Sequence, residues 1–499
     1  MPGADAVARL YPVALALTLA AWLGFLPSAA DHFRRRLASA RPRTGCWLAA
    51  ILLAALALRL TAGFSHRVYY DEFEHLDIAR HLAATGQFAE TLAGGIVAYD
   101  VLSRPTWPGG HHTALAVIFK LFGASALTAF LWSAFLSTLS ALFVFWAALE
   151  LFDDERGALA AAFIWGVLPL AVRYGTACDL TSATLFWNAA SLAALHARKR
   201  EPGPRLDAFA ALTLAYAVQV RPENMLLLGY GALISAPARV LIPALAGAVA
   251  PAAIALANRA DALPGYSAAT TAPLSHLMRQ TLPNLRYLFG RVEFWPFLLP
   301  AALAAFTKRP AARLAALSAA LLIVYGSFFR GRFDTGTEDR YALSALLPLS
   351  VASASVLSPA AIPAVLLAAG FAWSGPGAPE PEHEASRRFL ERSARLIPEH
   401  AFVVAFNPPF VREAARRPAA GAFLLLENLS GFETERAQAG AAAELVLYKD
   451  WAWRSRSEEA ARLEKLLHAS YEPTPLADNG LDSLILLTPR ASPALRGRR

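Results

Sequence analysis

The apolar residues of this chain come in uninterrupted blocks, and that arrangement constrains the fold more than any motif does. Between about residues 11 and 373, blocks of roughly 15 to 25 apolar residues alternate with short joints rich in Arg, Pro and Gly. A soluble amphipathic helix shows one apolar stripe and a polar back. Here the apolar character runs all round, as in helices of bilayer length. Composition agrees, with 56% of the 499 residues apolar and 17% charged. The arginines behind the formal charge of +8 sit in the joints, where the positive-inside rule places them, and form no long basic arm or helix. Membrane lipids, and not nucleic acid, are therefore the expected partner.

The fold class that follows is a polytopic α-helical membrane protein of about twelve spans with a small C-terminal extracytoplasmic α/β domain. Spans are expected near 11–27, 46–63, 125–151, 157–172, 179–197, 206–220, 222–236, 240–257, 294–306, 311–329, 341–357 and 359–373. The first block carries only Arg9 ahead of it and is followed by Arg34, Arg35 and Arg36, which favours a retained helix over a signal peptide. Arg34–Arg36 with Arg41 and Arg43, Arg198 and Arg200 with Arg205, Arg239, and Lys308 with Arg309 and Arg313 fall on one side, read as cytoplasmic. The joint Asp153–Arg156 dissents by being acidic. The opposite side then holds the loops 64–124 and 258–293 and everything after the last span. Residues 1–373 read as the membrane domain, with the active site on loop 64–124. The Pro/Gly-rich run 374–381 reads as a linker, and 382–499 as the soluble domain. In that tail Ala401–Phe406, Ala422–Leu426, Glu444–Tyr448 and Ser483–Leu487 look like strands, alternating with helical patterns at 383–396 and 455–470. The sequence has no GxGxxG or GxxxxGK nucleotide fingerprint. Two cysteines, Cys46 and Cys178, are expected at opposite bilayer faces and make no structural disulfide.

Polar residues gather on the outer side. The densest cluster, Tyr69 to Leu82, places Asp71, His75, Ile78, Ala79 and Leu82 on one helical face and Glu74, Asp77, Arg80 and His81 on the other. An interfacial helix fits, with Asp71 and Glu72 at its start; the alternative is that Asp71 is an N-cap and the rest a solvated face. Arg104 before Pro105 suits a phosphate clamp, or a headgroup anchor beside Trp107. His111 and His112 are adjacent and so point apart, which makes them poor joint metal ligands. Asp179 opens a span, Arg221 separates two others, and Arg340 with Tyr341 precedes a late one. Charges at helix ends are often anchors, and it is their repetition on one face that points to a site.

These ordered motifs resemble the GT-C glycosyltransferases, and within them the protein O-mannosyltransferase and lipid A aminoarabinose transferase group. The motifs are Leu58-Arg59-Leu60, Asp71-Glu72, Arg104-Pro105 leading to Leu121-Phe122-Gly123, Asp179, and Arg340-Tyr341 with Pro348. The resemblance spans roughly residues 46–358. It implies an enzyme moving a sugar from a polyprenyl-phosphate donor to a hydroxyl acceptor in the cell envelope. Asp71 would be the catalytic carboxylate with Glu72 beside it, Asp179 a second acidic site residue, and Arg104 the lipid-phosphate contact. Ser103 departs from the acidic residue common before the basic-Pro pair, and a single Pro105 from the common double proline. Physically, Arg104 and Arg340, with Tyr341, would stabilise the leaving phosphate, while Asp71 takes the acceptor proton. No cofactor is expected, although a divalent cation bridging Asp71 or Glu72 to the phosphate is the alternative. The location implied is a bacterial inner membrane with the site facing the periplasm. A transporter or flippase, or a non-catalytic assembly protein, are the competing readings. The first predicts a repeat and charges inside spans; the blocks show neither, apart from Arg59.

Topology is the expectation on which the rest hangs. Single cysteines placed in the tail and in loop 64–124, in a chain lacking Cys46 and Cys178, are expected to react with an impermeant thiol reagent from the outer face. Tail labelling that requires opening the inner face would move the site to the wrong side.

Overall fold

The computed structural model describes residues 2–68, 70–89, 108–259, 274–324, 332–334, 337–357, 381–427, 444–455 and 457–490. The expected span 359–373, the expected linker apart from Pro381, and Arg104 lie outside the described residues. Two compact units divide the chain: Met1–Arg67 with Leu82–Phe88 and Pro105–Gly377, and Val68–His81 with Ala89–Arg104 and Ala378–Arg499.

The first unit is helical. Its long elements are α1 (Pro2–Ala38) and α2 (Thr44–Thr61); α3 (Tyr70–Thr85) contributes only its last turn. There follow α4 (Gly110–Phe122), α5 (Ala126–Phe152), α6 (Glu155–Val167), α7 (Pro169–Tyr174), α8 (Thr181–Arg200), α9 (Pro204–Val220), α10 (Leu226–Leu233) and α11 (Ala238–Arg259). The series continues with α12 (Leu274–Gly290), α13 (Trp295–Thr307), α14 (Arg309–Leu321) and α15 (Ala342–Ser353). Helix α5 packs on α8, and α9 on α1, α8 and α11. Between them Trp22 meets Trp187 edge-on at 4.9 Å and stacks on Phe209 at 5.6 Å. Its indole N–H donates to Thr213 Oγ1 at 2.9 Å, so the ring is buried without an orphan donor.

The acidic joint that broke the charge rule is a capping device. Asp153 ends α5 in the left-handed region at φ 57°, and Asp154 accepts the Arg156 N–H at the start of α6. Asp153 also accepts from Arg36 (2.6 Å) and Arg200 (3.0 Å), and the Arg36 hydrogen bond above all holds its carboxyl below the usual range. The acids there neutralise the arginines of neighbouring joints and turn the chain in three residues.

Among the described residues, three helices are long and apolar enough to cross a membrane: Arg9–Ala38, Thr44–Thr61 and Ala126–Phe152. A fourth appears if Arg279–Gly290 and Val292–Thr307, bent by 78°, form one broken span. The twelve blocks therefore do not map one to one onto spanning helices. Block 157–172 breaks at Leu168-Pro169 into α6 and α7, because Pro169 has no N–H to continue the ladder. Block 222–236 starts as a 3-10 turn at Pro222–Met225, which leaves α10 eight residues. That is about 12 Å of helix against a hydrocarbon core of about 30 Å.

In the second unit a five-stranded sheet has the order β2-β1-β3-β5-β4, from β1 (Phe402–Ala405), β2 (Ala419–Gly421), β3 (Leu445–Lys449), β4 (Tyr471–Asp478) and β5 (Ser483–Pro489). The first three strands pair in parallel, and β5 runs antiparallel to β3 and β4. Helices α16 (Pro381–Ser393), α17 (Pro408–Ala415), α18 (Ala422–Glu427), α19 (Trp451–Ser455) and α20 (Ser457–Ser470) complete it. The α/β character matches expectation, with three corrections, the first being that β2 (Ala419–Gly421) was not among the expected strands. Ala422–Leu426 is helix, since Ala-Phe-Leu-Leu-Leu carries no β-branched residue and Leu and Ala favour helix. Strand β4, with Pro473 and Pro475, was not expected; it lies at the sheet edge, where a missing N–H costs no ladder bond.

One close crossing in the first unit depends on glycine. A Cβ on Gly110 would lie 2.7 Å from the backbone carbonyl of Gln219, and Tyr216 donates its hydroxyl to Gly110 O at 2.8 Å. Gly110→Ala is expected to destabilise by about 1–3 kcal/mol, the usual cost of overpacking against backbone. Thermal unfolding of the detergent-solubilised protein measures this, and an unchanged midpoint would disprove the close approach.

Candidate active site

Three of the residues singled out in the sequence meet in the first unit. Asp179 stands just before α8, buried, with Oδ1 accepting the Thr181 N–H at 3.0 Å and Oδ2 accepting the Thr181 hydroxyl at 2.6 Å. Local bonds to its own helix start fix this carboxylate. Its Oδ2 is then 3.2 Å from Arg340 Nε. Arg340 lies on the 3-10 turn Glu338–Tyr341 and donates to Thr337 Oγ1 (2.7 Å), Thr337 O (3.2 Å) and the Tyr341 hydroxyl (2.8 Å). With the guanidinium held from several sides, its planar fork is fixed in direction.

Around this pair lie residues that sequence reasoning passed over or treated as anchors. The Arg221 guanidinium sits 5.0 Å from the Tyr341 ring centre and that of Arg340 4.6 Å from it. Asp339 accepts the hydroxyls of Tyr174 (2.5 Å) and Tyr287 (3.3 Å) and lies 3.5 Å from Arg173. Arg291, paired with Glu293 at 3.1 Å, faces the Tyr287 ring. Four arginines (173, 221, 291, 340) and the acids Asp179, Asp339 and Glu293 are thus drawn into one neighbourhood. Arg221, Asp339 and Arg340 are all buried. Guanidinium groups fixed in direction in this way suit the binding of an anion. Arg221-Pro222 is one of five Arg-Pro pairs in the sequence and so did not stand out; Tyr174 and Tyr287 gave no signal.

His111 belongs to the same surroundings. Burial, and then the Arg221 cation, push its imidazole down to about 4, the Cys178 backbone opposing weakly. It is therefore neutral at neutral pH and adds no charge. His111 and His112 have ring centres 5.7 Å apart. Cys46 and Cys178 are both free thiols.

Asp71 and Glu72 lie in the second unit, in the first turn of α3 as expected. Glu72 is buried and accepts the Val68 N–H at 3.3 Å, so it ties the chain into the helix start, while Asp71 is half-buried. Consecutive helical side chains diverge by about 100°, so the two carboxylates do not by themselves form a chelating pair. The opposite face is not solvated. Asp77 pairs with Arg412 and Arg80 with Glu413, and Phe73 joins the core of the α/β domain, 5.3 Å from Phe410.

No protein-family model matches the sequence, and no curated protein does. Solved structures do. The lipid A aminoarabinose transferase ArnT from Cupriavidus metallidurans in the apo state aligns at 16% identity over 89% of this chain and 98% of that one, with a TM-score of 0.56. The same enzyme bound to undecaprenyl phosphate gives 13% identity, the same coverage and 0.57. The fold is that of the GT-C glycosyltransferases. The Archaeoglobus fulgidus oligosaccharyltransferase in its apo form is also similar, at 14% identity over 87% of this chain and 73% of that one, with a TM-score of 0.52. At such identities the likeness is one of fold. The resemblance to this fold read from the sequence is borne out at that level. This fold, and the three described helices of spanning length, support a membrane location.

A pH dependence follows from His111. Its folded value, about 4, lies below the ordinary 6.5, so between those values the unfolded state binds more protons. Stability should be full above pH 6.5 and fall as pH drops toward 4. His111→Gln should flatten that slope by up to one proton in unfolding measured from pH 7 to pH 4. An identical slope would place His111 outside a buried, cationic setting.

Proposed function

We propose that the chain is an inverting glycosyltransferase that moves a sugar from a polyprenyl-phosphate donor to a hydroxyl acceptor at the outer face of a bacterial inner membrane. One observation carries this reading: the buried guanidinium of Arg340, fixed beside Asp179 and set with Arg221 against the Tyr341 ring, in a chain of ArnT-like fold. ArnT, of the same fold, was solved bound to undecaprenyl phosphate, and a polyprenyl phosphate is the donor class proposed for this chain.

In this reading the donor's apolar tail stays in the bilayer and its phosphate meets Arg340, Tyr341 and Arg104. Charge grows on the phosphate as the bond from the anomeric carbon to the phosphate oxygen breaks. Fixed guanidinium groups stabilise that charge more in the transition state than in the ground state. Asp179 orients Arg340 and spares it reorganisation. The acceptor oxygen forms the new bond on the opposite face of the sugar, and Asp71 takes its proton. Glu72, engaged with Val68, sets the helix start from which Asp71 projects. In this reading the arginines supply the positive charge and no cofactor takes part; the alternative, a divalent cation bridging Asp71 or Glu72 to the phosphate, is what the chelator arm of the test below decides. Acceptors are hydroxyls of the cell envelope, on glycolipid, polysaccharide or protein.

The test is transfer by the purified protein from a panel of labelled polyprenyl-phosphate sugars, with and without chelator. Asp71→Asn keeps size and capping ability but removes the basic oxygen; the rate should fall by about 10²–10⁴-fold with folding unchanged. Single-turnover transfer at the wild-type rate would remove Asp71 as the base, and no transfer from any donor would remove the function.

A further inference from the structure

We propose that α17 of the C-terminal domain is a clamp that orients the helix bearing Asp71 and Glu72, with Arg412 and Glu413 as positioning residues for sugar transfer. The inference rests on the reading of Asp71 as the base, and it gives the tail domain a part in the reaction.

Three residues of α3 meet the domain. Phe73, Asp77 and Arg80 are spaced i, i+4 and i+7, so they line one stripe of the helix. Phe73 is 3% exposed and shares a core with Phe410, Val411, Leu390 and Tyr448. Asp77, 4% exposed, pairs with Arg412, while Arg80 pairs with Glu413, its second contact being 3.3 Å. On an ideal helix Asp71 lies about 160° around from Phe73. The domain therefore grips the side of the helix that faces away from the proposed base.

The charge order gives the grip a register. Along α3 the pair reads acid then base, and along α17 base then acid. Shifting one helix against the other would bring Asp77 to Glu413, or Arg80 to Arg412, a like-charge encounter in partly buried surroundings. Apolar packing at Phe73 alone would tolerate rotation; two crossed ion pairs do not. Rotation by even a fraction of a residue swings Asp71 through an ångström or more, and misplacement of that size costs about 10²-fold in rate.

Charge reversal tests the clamp. Two variants, Arg412→Glu and the exchanged pair Asp77→Arg with Arg412→Glu, are compared with wild type for transfer from whichever labelled polyprenyl-phosphate sugar the wild type uses. Amide exchange across residues 70–81 is followed in parallel. The single reversal should lower kcat by about 10- to 100-fold with little change in donor KM, and raise exchange in 70–81. The exchanged pair should restore protection and most of kcat. A structural role alone would lower the folded yield without splitting kcat from KM. Unchanged kcat and unchanged exchange in Arg412→Glu would overturn the clamp, as would restored protection without restored kcat. A wild type that uses no donor sinks the functional reading instead, and exchange still decides whether the grip exists.

Discussion

Charge cannot be left unpaired inside an apolar helix, and most of what is distinctive about this chain follows from where its charges are then forced to go. Arg59 is the exception that displays the constraint. It is fully buried near the end of α2, donating Nε to Ser137 Oγ and Nη1 to the carbonyls of Ala55 and Gly166, each at 2.8 Å. One guanidinium thus joins α2, α5 and the end of α6. A Cβ on Gly175 would come within 2.8 Å of Arg59 Nε, so the turn leading to Asp179 is seated on this side chain. Removing it would strand two carbonyls and a hydroxyl, and a buried polar group without a partner costs more than the bond was worth.

The same rule sorts the remaining charges to helix ends, with opposite outcomes at the two ends. At the joints after α1, α5 and α8, Arg36 and Arg200 find Asp153 and the charges largely cancel. Around Asp179 and Arg340 the charges are interleaved with tyrosines, Tyr341 lying against Arg340 and Arg221 while Tyr174 and Tyr287 donate to Asp339. The first arrangement closes a bundle; the second presents fixed guanidinium groups that suit an anion. His111 stays neutral beside Arg221 because burial and a neighbouring cation act in the same direction, so the positive charge there is carried by guanidinium groups, whose charge does not vary over the physiological range.

Much of this was legible in the sequence, and the parts that were not share a cause. Apolar blocks announce buried helices, and an acid or arginine at a block's end announces a helix terminus; Asp179, Arg340 and Tyr341 were found that way. Their assembly was not legible, because Tyr174 reaches Asp339 across 165 positions and no local pattern encodes such a contact. Arg221 looked like a helix-end anchor until the fold set it beside Tyr341. The polar face of α3 was open to reading as solvated, since Asp77 and Arg80 carry no mark of partners more than 330 residues away. Prolines misled in both directions: Pro169 divides a block of spanning length, while Pro473 and Pro475 sit inside a real strand because it is at an edge.

Membrane topology is tied to these contacts more tightly than to any count of arginines. Asp77, Arg80 and Phe73 precede the apolar blocks from 125 onward, and Arg412, Glu413 and Phe410 follow the last of them. Side chains in ion pairs and ring contact cannot have a bilayer between them. The segment before those blocks and the domain after them therefore lie on one side, and the number of crossings between them must be even. A broken helix such as α12–α13, bent by 78°, satisfies that parity either as one crossing or as none, depending on its partners. Parity thus constrains the short helices that length alone leaves unassigned, and it does so from two salt bridges and a pair of rings.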